Sequence, residues 1–461
     1  MNLSPVLLAA FLALLFYLAE SRSKWLFFIL PLAFSMPTAR SFIGPIPIYW
    51  YDCAAIAVLF FLYRTGFWSR QFPKVPPWIG GVAIVYFLFG VIVPIFRYGP
   101  LPEFGWTFGH QMTGWCLFFV GVAITMPRYS AYLPMLAKGM VAALGWLAVV
   151  AAVQWRNVGV TLYFNQIFYG DFYRSSEGEG YLTDQLMTAN WADRAQGPFM
   201  NPSNLAIFSV LLLSLVLLMQ RRLPKTWVWA AMLFAGVNVI TSVSRQTMIA
   251  VCLAGLLYAL FAPVAKSVRN IVAGAILVIV VLVGTGGSEM LGSRFGRVAE
   301  QGFEEANVVA RLVLGPQRLA TLFVDKPDLF FTGVGLDADK LAGRGFDMDA
   351  NEAGFVSNSF LLSLYYTGIF GFILYVALWI WSFIAAMRAS IEFRPMLVAL
   401  VGAGIFLTFA DNTIFKFEAI TAWVALILGV VAASRAGASP SVSRRRPQPR
   451  PRPPQSAAVA P

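Results

Sequence analysis

The sequence predicts an all-α fold, a polytopic integral membrane helical bundle of about 12–13 transmembrane helices. Three observations predict it. Of the 461 residues 59% are hydrophobic and only 12% charged, too few polar side chains to cover a water-soluble domain of this size. The apolar residues are gathered into runs of roughly membrane-spanning length. Short, mostly basic loops separate those runs, and only two long polar excursions interrupt them, residues 154–202 and 284–356.

Taken in order, the runs are 3–19, 25–36, 48–63, 78–96, 111–126 and 132–153 before the first long loop. Between the loops come 203–219, 227–240, 248–261 and 271–283, and after the second come 360–387, 396–409 and 420–433. Several are shorter than the roughly 20 residues that a straight span needs, so their helices are expected to extend into flanking residues. The run 25–36 is the weakest, because Pro31 and Pro37 interrupt it. No small-residue cleavage site follows the first run, which reads as a retained helix.

Orientation follows from Lys and Arg in the short loops. Arg22 with Lys24, Arg64 with Arg70 and Lys74, Arg128 with Lys138, Arg221 with Arg222 and Lys225, Lys266 with Arg269, and Arg388 with Arg394 occupy every second connection. Arg444, Arg445 and Arg446 in the tail fall on the same side. This pattern fits a multi-pass protein of a bacterial inner membrane with a periplasmic N-terminus and a cytoplasmic C-terminus. Both long loops then face the periplasm, where chemistry would sit.

The expected organisation is a transmembrane domain over residues 1–434 and a Pro- and Arg-rich tail, 435–461, with almost nothing to bury and therefore disordered. The net charge of +12 comes largely from basic loops and tail, so membrane lipids are the expected contacts and nucleic-acid binding need not be invoked. Cys53, Cys116 and Cys252 all fall within apolar runs, which suggests neither a disulfide framework nor a thiolate metal site.

Three polar segments carry candidate chemistry. The first long loop ends Asp193-Arg194-Ala-Gln-Gly197-Pro198-Phe199-Met-Asn201-Pro202-Ser203-Asn204, where Asn201 and Ser203 can cap the helix that follows. A helix N-terminus with Arg194 beside it can hold an anion, although Arg194 pairing with Asp193 or with head groups explains it equally. The short connection Thr241-Ser242-Val-Ser244-Arg245-Gln246-Thr247 places Arg245 on the outer side, against the positive-inside trend. Its partner is an acidic residue or an anionic ligand, and a guanidinium fork suits phosphate oxygens. The second long loop carries Arg294, Arg297, Arg311 and Arg318 in a segment of helical periodicity whose apolar face is Val308, Val309, Leu312 and Leu319. Gly333-Val-Gly335 follows, then Asp337, Asp339, Asp347, Asp349 and Glu352, then Ser357-Asn358-Ser-Phe-Leu361 and a helix with Gly368 and Gly371.

In this order the segment Arg194, Gly197, Phe199, Asn201, the Ser244-Arg245 connection, Arg311 with Pro327 and Gly333-Val-Gly335, and Asn358-Ser-Phe-Leu361 with Gly368 and Gly371 resemble the O-antigen ligase and Wzy-type polymerase superfamily. The resemblance spans roughly the C-terminal two thirds. It implies a membrane glycosyltransferase of the GT-C type that uses glycans linked to undecaprenyl pyrophosphate. It further implies that Arg194, Arg245 and Arg311 hold the pyrophosphate during catalysis; Asn358 is a further catalytic candidate, and Arg318, Asn201, Tyr181 and Trp191 are candidate substrate contacts. Arginines can neutralise the diphosphate, so no metal or cofactor is expected. The flippase and the chain-length regulator of the same pathway are expected partners.

Ligases of this superfamily place a His immediately before the Asn of the last motif; here that position is Ser357, and the only histidine is His110, outside the motif. The departure favours polymerase over ligase. A general base would then be Asp349, Glu352 or Asp411, unless departure of the leaving group dominates and the proton is lost late. The first loop is rich in aromatics, among them Tyr163, Phe164, Tyr181 and Trp191, which either stack on sugars or anchor at the interface. A ligase and a secondary transporter remain the alternatives, the second weakened by the lack of an internal repeat. A peptidoglycan polymerase signature is not found.

Overall fold

In a computed structural model the chain folds as a mostly helical bundle. It describes residues 5–43, 46–68, 76–99, 102–157, 159–164, 194–199, 201–262, 313, 315–336, 358–391, 393–410, 414 and 418–436. Among the described residues three helices, Pro77–Tyr98, Leu133–Gln154 and Ser359–Met387, are long and apolar enough to cross a membrane, and shorter apolar helices accompany them. Both features fit a polytopic membrane protein.

The helices follow the apolar runs closely: α1 Pro5–Glu20, α2 Trp25–Phe34, α3 Trp50–Arg64, α4 Pro77–Phe87 continuing through a π turn into α5 Val93–Tyr98, α6 Pro102–Thr125 and α7 Leu133–Gln154. After the first loop come α8 Pro202–Leu218, α9 Lys225–Ser242 and α10 Arg245–Phe261. The second loop contributes α11 Gly315–Asp325 and α12 Pro327–Thr332, and the chain ends in α13 Ser359–Met387, α14 Arg394–Ala410 and α15 Glu418–Ala436. Pro31 is accommodated inside α2 instead of ending it. The expected run 271–283 and the tail beyond residue 436 lie outside the described residues.

A two-stranded antiparallel hairpin, β1 Arg40–Ile43 and β2 Ile46–Tyr49, joins α2 to α3 and was not anticipated. Cys53 and Cys116 are buried, whereas Cys252 sits on an exposed face of α10.

Small residues set the helix spacing. A Cβ on Gly121 of α6 would collide with the Leu426 carbonyl of α15, one on Gly429 with the Phe118 carbonyl, and one on Gly139 of α7 with the Phe28 carbonyl of α2. Without water to drive association inside a bilayer, such close backbone approach is what holds helices together.

The basic turns gather at one end of the bundle. Arg64 at the end of α3 pairs with Glu20 at the end of α1, Arg128 donates to the Thr65 carbonyl, and Lys138 lies 5.6 Å from the Trp227 ring. The candidate site occupies the other end, where α7 and α9 finish and α8 and α10 begin.

Candidate active site

Residues 194–199 form a buried strap across that end. Arg194 is only 9% exposed, while Ala195, Gln196 and Phe199 are fully buried. Gln154, the last residue of α7, holds the strap: its Oε1 accepts from Gly197 N at 2.7 Å and Gln196 N at 3.2 Å, and its Nε2 donates to Gly197 O at 3.4 Å. On the opposite side Ala195 N donates to Thr241 O at 2.9 Å, and Arg194 Nε donates to Ser242 O at 2.7 Å. Gly197 turns the strap with φ +60°, and Phe199 plugs it against Phe208 of α8 with ring centroids 5.2 Å apart.

Two helices start beneath the strap. Asn201 caps α8, its Oδ1 accepting from Ser203 N at 2.8 Å, as its position before Pro202 predicts. Val243 lies in the left-handed region, φ 49° and ψ 42°, a sterically strained state for a β-branched residue that lets the chain reverse between α9 and α10. Ser244 follows, its hydroxyl 2.9 Å from Thr247 Oγ1 and 3.4 Å from Ser203 Oγ, which ties the α10 start to the α8 start. Arg245 is the first residue of α10, not part of a polar loop, and is half-buried. Arg194, bonded to the Ser242 carbonyl, and Arg245 thus stand at one chain reversal beside the α10 N-terminus, whose positive dipole end favours an anion; at the adjoining α8 start Pro202 has no N–H and Asn201 takes those of Ser203 and Asn204.

The second loop docks separately. Leu319 of α11, Leu329 of α12, Val334 and Leu362, Tyr365 and Tyr366 of α13 form a satellite core. Val334 N donates to Tyr365 O and Gly335 N to Tyr366 O, both at 2.9 Å, so the Gly-Val-Gly turn pairs with the backbone of α13 where Gly368, φ +67°, kinks it. Gly333 and Gly368 pass so close that a Cβ on either would strike the other segment's backbone. Asn358 is buried and caps α13, its Oδ1 accepting from Phe360 N at 2.8 Å and Leu361 N at 3.3 Å.

The structure therefore brings Arg194, Asn201 and the Arg245 connection together, and assigns Asn358 a helix-capping position. Arg318 is exposed on α11. Arg311, Tyr181, Trp191, Asp349, Glu352 and Asp411 lie outside the described residues, as does the side chain of His110. Sequence reasoning missed Gln154, which it treated as a loop boundary, and Arg97, whose Nη1 donates to Gly333 O at 2.8 Å. The signal for Gln154 was a lone carboxamide ending an apolar run. For Arg97 it was a cation at the helix end opposite the basic loops.

The model of the WcaD colanic acid polymerase family matches residues 109–435, more than two thirds of the chain, including the strap, the Arg245 connection and Asn358. The chain belongs to that family. WcaD membership bears out the resemblance to Wzy-type polysaccharide polymerases and the polymerase branch over the ligase and transporter alternatives. A WcaD polymerase is a glycosyl-transfer enzyme whose substrates are lipid-linked glycans. No curated protein matches the chain.

Proposed function

We propose that this WcaD-family polymerase transfers a growing exopolysaccharide from undecaprenyl pyrophosphate onto an incoming lipid-linked repeat unit, at the periplasmic face of the inner membrane, as a GT-C type enzyme. The observation that carries the site assignment is the convergence of Arg194 and Arg245 at the reversal between α9 and α10, beside the α10 N-terminus. The diphosphate would rest there, with Arg311 joining from the second loop. In the transfer step the bond between the anomeric carbon and the diphosphate oxygen breaks, the diphosphate keeping the electron pair. An acceptor hydroxyl oxygen bonds to the same carbon, and its proton passes to a carboxylate or to water. Guanidinium and helix-dipole charge acts most strongly on the leaving diphosphate, where negative charge builds, and so lowers the barrier without a metal.

The basic end of the bundle faces the cytoplasm in this reading, with the tail beyond residue 434, and both long loops face the periplasm. The periplasmic flippase product would be the substrate, and a chain-length regulator would be the partner. Purified protein in nanodiscs given lipid-linked repeat units tests the reading directly. Wild type is expected to produce a glycan ladder. Arg194→Ala and Arg245→Ala are each expected to reduce unit consumption by about 100-fold or more, the scale of losing one preorganised donor to a developing anion. Ladders of normal intensity from both variants would overturn the site.

A further inference from the structure

We infer that Arg97, outside the segment matched by the family model, is a positioning residue that fastens the second loop to the bundle for catalysis. The inference rests on the polymerase reading of the chain, but not on the assignment of the diphosphate site. Arg97 closes α5, and its guanidinium spans two elements of the loop at once. Nη1 donates to the Gly333 carbonyl at 2.8 Å, while Nη2 donates to Asp328 Oδ2 at 2.6 Å and to Thr332 Oγ1 at 3.0 Å. About two turns earlier the chain widens into a π turn at Leu88–Ile92, and the Gly90 carbonyl accepts from Leu336 N at 3.0 Å. Gly335, φ +98°, lies so close to Pro94 that a Cβ there would collide with its ring.

Helix α5 therefore contacts the Gly-Val-Gly turn from one side while the kink of α13 contacts it from the other. The turn follows α11, which bears Arg318, and α12, and it packs on the helix that Asn358 caps. Fixing this point fixes how α11 and α12 sit against α13. A π turn inside a helix is a rare local expansion that recurs at functional sites, and here it supplies the carbonyl that anchors Leu336.

The planar fork is what this job requires. Two nitrogens 2–3 Å apart reach a carbonyl on one segment and a carboxylate and hydroxyl on another, which the single ammonium of Lys does only in part. Asp328 is 64% exposed, so its ion pair contributes little and the backbone contact to Gly333 is the important one. Arg97 acts through the turn that it holds, so its loss should slow turnover without weakening substrate binding.

The test is polymerisation of lipid-linked repeat units by purified full-length variants, normalised to folded protein by size exclusion. Arg97→Ala is expected to lower kcat at least tenfold with KM within twofold of wild type, Arg97→Lys to recover part of that loss, and Asp328→Asn to stay near wild type. Hydrogen exchange should rise at residues 315–336 in Arg97→Ala and stay unchanged in α6, α7 and α15. Should Arg97→Ala not accumulate, Arg97→Lys and its exchange pattern decide. Wild-type kcat in Arg97→Lys and Arg97→Ala, or a rise confined to KM, would overturn the inference. Should Arg245→Ala be inactive in the same assay while Arg97→Ala is not, the inference alone fails. Should wild type itself make no polymer, the failure is that of the polymerase reading.

Discussion

At the scale of single residues, the strap depends on one carboxamide. Gln154 is fully buried and satisfies two buried N–H groups, of Gln196 and Gly197, together with a carbonyl. Gln154→Ala would leave those groups unpaired in a dry environment, at about 1–3 kcal/mol for each. The expected result is a lowered Tm in detergent together with reduced activity, because Arg194 is displaced with the strap; Gln154→Glu, which loses the Nε2 donor and puts a carboxyl into the same dry site, should lower Tm as well. A thermal-shift series beside the polymerisation assay checks both. Asn358 has a second capping role, so Asn358→Asp, which preserves the accepting oxygen, should retain stability, while Asn358→Ala should lose about 1 kcal/mol. If Asn358→Asp keeps its Tm but loses activity, the carboxamide serves the reaction as well as the helix.

At the scale of elements, the contact between the Gly-Val-Gly turn and the kinked α13 is the most demanding of sequence. Gly333 and Gly368 both have positive φ, and each faces the other segment's backbone. Ala at either position combines a strained backbone with a clash that has no flexible side chain to yield, so Gly333→Ala and Gly368→Ala are expected to reduce the accumulated protein severalfold. Gly236, where a Cβ meets nothing within 4 Å, should accept Ala with no loss, and immunoblots of membrane fractions separate the cases. The same comparison shows what was legible beforehand. Helix existence and order came through because apolar runs in lipid have only the helix in which to satisfy their backbone, and most boundaries moved by one to three residues. The exceptions have physical causes. α6 begins at Pro102, well ahead of its apolar run, because residues 102–110 are helical although Glu103, Gly105, Gly109 and His110 break their apolar character. Arg245 was read as loop because polarity marks a helix's first turn and a loop alike. The hairpin Arg40–Tyr49 was hidden in a segment too short and too proline-rich to show alternation. Of the site, the strap motif and the caps could be read from residue types at turn positions. The clamp on Arg97 could not, since it joins residues more than two hundred positions apart.

At the scale of the whole molecule, the Arg64–Glu20, Arg128–Thr65 and Lys138–Trp227 contacts collect the basic turns at one end, and the strap lies at the other. A bundle of this polarity should insert with its basic end in the cytoplasm. A phosphatase reporter, active only in the periplasm, is expected to be silent when fused after residue 436 and active when inserted between residues 165 and 193. The opposite pattern would place the site on the wrong face for the proposed reaction. Removal of residues 437–461 is expected to leave polymerisation unchanged, because such a composition has nothing to bury and no member of the site lies in it. The central claim is that this molecule lengthens a lipid-linked glycan, with Arg245 at the diphosphate. Its most direct test is the size profile of carrier-linked and surface glycans from a deletion strain complemented with wild type or Arg245→Ala at equal protein levels. The account predicts long polymer with wild type and single repeat units on the carrier with Arg245→Ala; full-length polymer from the variant, or long polymer stranded on the carrier in the deletion strain, would contradict it.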